Sequence, residues 1–83
     1  MTESEKNKLK RLRMQSSRRG IKENDIILGN FANTSINKLN DDELNDYENL
    51  LVENDQDIYL WISGAKEIPN KFKTIIKKII NTL

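Results

Sequence analysis

Apolar positions recur along this chain at the spacing of helix faces, and no alternating strand pattern competes with them. The clearest case is the last segment, where Phe72, Ile75, Ile76, Ile79, Ile80 and Leu83 share one face. Lys71, Lys73, Lys77 and Lys78 fall mostly on the other side, and Pro69 suits a first helical position. Upstream, Asn40 is placed to cap a helix, with Glu43 three residues on to reach back to the cap amide. Leu39 and Leu44 stand at the positions of a hydrophobic staple. Leu44, Tyr47, Leu50 and Leu51 form the core face behind that start. Asn54 opens a shorter helix in which Ile58, Trp61 and Ile62 share a face before Gly64 ends it. On that argument Trp61 belongs to the core rather than to a contact surface.

Two further segments are less regular. One runs from about Ile21 to Ala32, with Ile27, Leu28 and Phe31 as its buried face and Ile26 beside them. Gly29 inside it costs about 1 kcal/mol relative to alanine, which points to a close approach of another backbone there. The other runs from Lys6 to Ser17. Its apolar positions are only Leu9, Leu12 and Met14, so it is expected to lie on the surface with its basic side outward. The expectation is an all-α fold, a small five-helix, bundle-like single domain over residues 1–83, with residues 1–5 disordered.

Composition narrows the chemistry. Eighty-three residues hold one modest core and no second lobe. The chain has no cysteine and no histidine, which removes disulfides, thiol nucleophiles, the commonest general base and nearly every zinc or haem arrangement. The acids Asp41, Asp42, Asp55 and Asp57 fall in first helical turns, where the helix dipole favours them, and capping explains them without catalysis. Gly20, Gly29 and Gly64 lie too far apart for a phosphate-binding loop. No apolar run approaches the roughly 18 residues of a membrane span. The expected protein is therefore soluble and intracellular, with neither an enzyme's cleft nor a cofactor or metal of its own.

Charge is zoned. Lysine and arginine take eight positions between Lys6 and Lys22, Asp41 to Asp57 carries eight acids and no base, and Lys66 to Lys78 is basic again. A basic first helix could place Arg11, Arg13, Arg18 and Arg19 on phosphates, as in a small nucleic-acid-binding or regulatory module. The formal net charge of +1 argues against that alternative.

The stretch SRRGIKEND, Ser17 to Asp25, interrupts the helical periodicity. Gly20 reads as a helix stop, where a positive φ is cheap only for glycine. A turn alone does not require Arg18, Arg19, Glu23 and Asp25 around it. If the second helix starts near Ile21, Glu23 and Asp25 lie in or near its first turn, and Arg19 on the loop can face them. The result is a charged corner capable of bidentate contacts.

The run Arg18-Arg19-Gly20-Ile21-Lys22-Glu23, followed by Asp25, Ile27, Leu28 and Phe31, resembles the RGxxE signature of the succinate dehydrogenase assembly factor 2 family, the bacterial and mitochondrial flavinylation factors. A second block agrees in order and spacing: Leu44, Tyr47, Leu50 and Leu51, then Asp57 to Ile62, then Ala65, Lys66 and Pro69. The similarity covers roughly Leu9 to Ile80. Met14 stands where relatives often have an aromatic residue, and Gln56 where many bacterial relatives have proline. The resemblance implies a small helper protein, expected to be monomeric, that binds the flavoprotein subunit of succinate dehydrogenase, and in some bacteria of fumarate reductase. It implies promotion of covalent FAD attachment to a histidine of that partner. Arg19, Gly20 and Glu23 match the signature, with Arg18 and Asp25 as flanking contacts and Lys22 at a variable position. These five, Arg18, Arg19, Gly20, Glu23 and Asp25, are the expected partner-binding residues. The family lives in bacterial cytoplasm or the mitochondrial matrix. The Arg-rich start from Lys6 to Arg19 superficially resembles a transit peptide, but Glu3 and Glu5 precede it and the signature follows at once, so bacterial cytoplasm is the expected compartment.

Overall fold

The computed structural model describes residues 4–83, which form five α-helices and no strand. They are α1 (Glu5–Ser16), α2 (Lys22–Ser35), α3 (Asp41–Leu51), α4 (Asp55–Ser63) and α5 (Lys73–Ile80). Short 3-10 turns at Ile36–Lys38 and Asn70–Phe72 follow α2 and precede α5. The disorder expected for residues 1–5 falls partly on residues 1–3, which lie outside the described residues. Ser4 and Glu5 cap and open α1, with the Ser4 hydroxyl accepting from the Asn7 amide.

The start of α3 follows its sequence signals. The Asn40 side chain accepts from the Glu43 amide at 2.8 Å, and the Glu43 carboxylate accepts from the Asn40 amide at 2.9 Å, a reciprocal capping box. The Asn40 amide and the Lys78 side chain hold the Glu43 carboxyl below its usual range. Asn54 caps α4 by accepting from the Gln56 amide, and Gly64 ends it in the left-handed region at φ 83°. The last helix begins later than a proline-first start would put it. Pro69 keeps an extended ψ of 144°, so it precedes the 3-10 turn, and α5 proper opens at Lys73. Phe72, Ile75, Ile76 and Ile79 are buried and Ile80 is half-buried. Leu83 is 69% exposed, because the chain leaves the helix after Ile80 and the face no longer continues.

The core joins all five helices. Leu28, Phe31 and Ala32 of α2 meet Leu44, Tyr47, Leu50 and Leu51 of α3, Ile58, Trp61 and Ile62 of α4, and the α5 isoleucines. Tilted ring pairs bridge them, Phe31 to Tyr47 at 5.3 Å and Trp61 to Phe72 at 5.6 Å between centroids. Trp61 is a core residue, as its face predicts.

Two expectations fail here. On α2, Ile26 is exposed and Asn24 occupies the buried position, one turn before Leu28 on the same face. More consequentially, α1, although its basic side does face outward, is anchored more deeply than a helix resting on the surface. It packs on α2 and α3, and Leu12 is wholly buried. The apolar count underestimated it because its second core position, one turn on from Leu12, is Ser16. The Ser16 hydroxyl donates to the Leu12 carbonyl at 2.7 Å and lies 2.5 Å from the Tyr47 hydroxyl, so it is buried without loss of its hydrogen bonds. Burial pushes the Tyr47 hydroxyl up to about 12, so it stays a protonated donor at neutral pH. Polar ties fix the outer side of α1: Lys8 to Asn45, Arg11 to Glu48, and Arg13 to Asn37.

Gly29 is buried against Ser17, just past the end of α1, but the neighbouring backbone does not come close enough to require a glycine. A methyl group built there would meet Ser17 Cβ and Cα at 3.8 and 3.9 Å, ordinary contact distances. Gly29→Ala is therefore expected to raise stability by about 0.5–1 kcal/mol through restored helix propensity, read as a higher denaturation midpoint at unchanged slope.

Candidate partner-binding corner

The corner lies between Ser17 and Ile21, where the chain turns from α1 into α2. Ser17 closes α1, its amide donating to the Arg13 and Met14 carbonyls. The Arg19 amide donates to the Asp25 carboxylate, which ties the loop to the first turn of α2. The next links come from a distant part of the sequence. Asp55, the first residue of α4, accepts from Arg19 Nε on Oδ1 at 2.6 Å and from the Gly20 amide on Oδ2 at 2.8 Å. Arg19 also donates from its guanidinium to the Leu51 carbonyl at 2.9 Å, at the C-terminus of α3. That carbonyl is one of those a helix end leaves unpaired, and a cation is favoured there. Asn24 completes the clamp, its Nδ2 donating to the Asp55 main-chain carbonyl at 2.8 Å, while its buried Oδ1 has no partner among the described residues.

Burial alone would push the Asp55 carboxyl up. The Gly20 amide and the Arg19 guanidinium outweigh it and hold the group below its usual range. Asp55 is therefore ionised at neutral pH, and one carboxylate fixes two adjacent residues of the loop.

These contacts sort the five expected partner-binding residues. Arg18 and Glu23 are exposed and make no hydrogen bond or ion pair among the described residues. Asp25 is half-buried and engaged by the Arg19 amide. Arg19 does not face Glu23 and Asp25 with its side chain, as the sequence had suggested. The guanidinium turns inward to Asp55 and Leu51, and the side chain is only 9% exposed. Gly20 also has a different reason for being glycine. Among the described residues the only positive φ is at Gly64. A Cβ at Gly20 would sit 3.1 Å from Asp55 Oδ2, so the residue is small because the carboxylate comes close to its backbone.

Sequence reasoning missed Asp55 and Asn24. Nothing local distinguishes Asp55 from Asp41 or Asp57, which also lie in first helical turns. Asn24 did carry a signal: it stands four residues before Leu28 and seven before Phe31, on the face that goes into the core. No cluster of three or more His, Cys, Asp or Glu able to hold a metal occurs among the described residues. The arrangement presents a surface fixed by internal ties, with two exposed cations, Arg18 and Lys22, one exposed anion, Glu23, and the approachable Gly20 backbone among them.

A small helical protein with an interlocked RGxxE corner is thus defined by fold and site together. The family model for the flavinator of succinate dehydrogenase matches residues 10–83, and the chain belongs to that family. It is 45% identical over 71 residues to the mitochondrial succinate dehydrogenase assembly factor 2 of Dictyostelium discoideum, covering 86% of this chain and 50% of that protein. It is 47% identical over 66 residues to the protein of the same name from Schizosaccharomyces pombe, covering 80% and 48%. A third, assembly factor 2-B of Drosophila mojavensis, is 39% identical over 72 residues, covering 84% and 46%. The chain spans about half the length of the curated relatives it matches.

Proposed function

We propose that this protein binds the flavoprotein subunit of succinate dehydrogenase and promotes covalent attachment of FAD to a histidine of that subunit, as a non-enzymatic assembly factor. The observation that carries the reading is the RGxxE corner itself, held rigid by Asp55 with Arg18 and Glu23 free on its surface, in a chain of the flavinator family. This chain has no histidine, which fits an attacking group supplied by the partner. Its own contribution is positioning. A preorganised charged corner docked on the unfinished flavoprotein holds the reacting groups in line and excludes water, where fixed charges act most strongly. On this reading the protein works as a monomer that carries no cofactor, in bacterial cytoplasm or the mitochondrial matrix, with fumarate reductase as a further client.

A nucleic-acid reading finds little support. Of the four arginines it would place on phosphates, Arg11 is engaged by Glu48, Arg13 by Asn37 and Arg19 by Asp55.

Co-expression with the flavoprotein subunit tests the proposal, following flavin fluorescence on the denatured subunit. Glu23→Ala is the cleaner variant, because Glu23 is exposed and makes no contact that holds the fold. Gly20→Arg presses directly on the Asp55 carboxylate. Both are expected to lower covalent flavin at least tenfold. Wild-type flavinylation with both variants would show that the corner does not act.

A further inference from the structure

Beside the corner, between the C-terminal half of α1 and the end of α3, lies an open groove of about 420 Å³. Its lining contains no carboxylate: Met14, Leu51 and Val52 are apolar, Arg11, Arg18 and Arg19 are cationic, and Gln15 is neutral and polar. Met14 is 48% and Val52 77% exposed, two of the five large apolar side chains left in solvent among the described residues. The three arginines are not equivalent. Arg11 is paired with Glu48 and Arg19 with Asp55, whereas Arg18 makes no ion pair or hydrogen bond among the described residues. The groove therefore offers one uncommitted guanidinium flanked by aliphatic surface.

We propose that this groove is a second contact for the partner and seats a segment bearing one carboxylate flanked by aliphatic side chains. The inference rests on the reading of the flavoprotein subunit as partner and adds to it the place and chemistry of a further contact. Charge complementarity selects the carboxylate. The lining carries three cations, two of them neutralised within the molecule, and a planar guanidinium binds a carboxylate with two parallel hydrogen bonds. The aliphatic flanks select against a bare phosphate backbone, since burying Met14 and Val52 needs apolar surface opposite them. The groove is also continuous with the corner, because Arg18 lines it and directly precedes the RGxxE run. One docked partner can cover both.

The test titrates purified flavoprotein subunit of succinate dehydrogenase against the full chain by calorimetry. Arg18 belongs to both surfaces, so the decisive variant is the double substitution Met14→Gln with Val52→Gln, which removes apolar surface and leaves the charge pattern intact. Both positions are exposed, and circular dichroism checks that the variant folds as wild type. Binding is expected to weaken at least tenfold, and Met14→Leu with Val52→Leu to restore it. Arg18→Glu is expected to weaken binding at least as much, and to remove part of its salt dependence. Wild-type affinity in the glutamine double variant overturns the groove, whatever Arg18→Glu does. If Glu23→Ala is weakened in that same assay, the corner reading survives the groove's failure. Absence of binding by the wild-type chain overturns the partner reading and the groove with it. A concentration-dependent dimer, seen by light scattering and lost in the glutamine variant, would make a second copy the occupant and likewise overturn the proposal.

Discussion

Asp55→Ala is expected to destabilise the protein by about 2–4 kcal/mol at neutral pH, somewhat below the roughly 3–5 kcal/mol for breaking a fully buried ion pair from one side, because the Asp55 side chain is 25% exposed. The Arg19 side chain is 9% exposed and its Nε has the Asp55 carboxylate as partner, so the alanine variant leaves a largely desolvated cation without its counter-ion. The Gly20 amide loses its acceptor in the same step. For a domain of this size the total stability is roughly 4–12 kcal/mol, so the loss is a large fraction of it. Urea denaturation measures the effect, and its pH dependence identifies the cause. The folded-state pKa of Asp55 lies below its ordinary 3.8, so its contribution is fully present above about pH 4 and is lost as pH falls through the depressed value. Wild type and Asp55→Ala should therefore converge in stability below pH 4. A gap that persisted at low pH would show that the carboxylate's charge is not what holds the loop.

The second large effect concerns α1. Leu12→Ala is expected to cost about 2–4 kcal/mol, the usual range for emptying a fully buried leucine site. Met14→Ala on the same helix should change stability by no more than about 0.5 kcal/mol, because Met14 is largely in solvent. If α1 merely lay on the surface, the two substitutions would be alike. Paired denaturation curves separate these outcomes, and similar small losses would refute the packing of α1 against α2 and α3.

What could be read from the chain follows the range of the interactions involved. The capping box at Asn40 and Glu43, the Asn54 cap and the Gly64 stop are settled by residues two to four positions apart, and each was legible. The core faces of α3, α4 and α5 were legible for the same reason, since 3.6-residue periodicity is a local property. Failures began where the deciding partner is far away. The RGxxE run marked where the corner lies, yet the direction of the Arg19 side chain depends on Asp55, 36 residues on, and on the Leu51 carbonyl. Gly20 was assigned a left-handed turn because that is the commonest local reason for glycine, whereas its actual constraint is a carboxylate from another helix. The depth of α1 was missed because a buried serine counts as polar in any hydropathy pattern, and only the Leu12 carbonyl and Tyr47 hydroxyl reveal that it is satisfied.

The clamp on Gly20 has a consequence for assembly in time. The signature residues are contiguous and leave the ribosome together, but the carboxylate that sets their geometry is made later and must be carried back by the docking of α4. A nascent chain holding Arg19, Gly20 and Glu23 before Asp55 arrives contains every letter of the motif but lacks the carboxylate that clamps Arg19 and Gly20. The corner is thereby a late-forming feature of the fold: it takes its final shape only once α4 has docked and brought Asp55 to it.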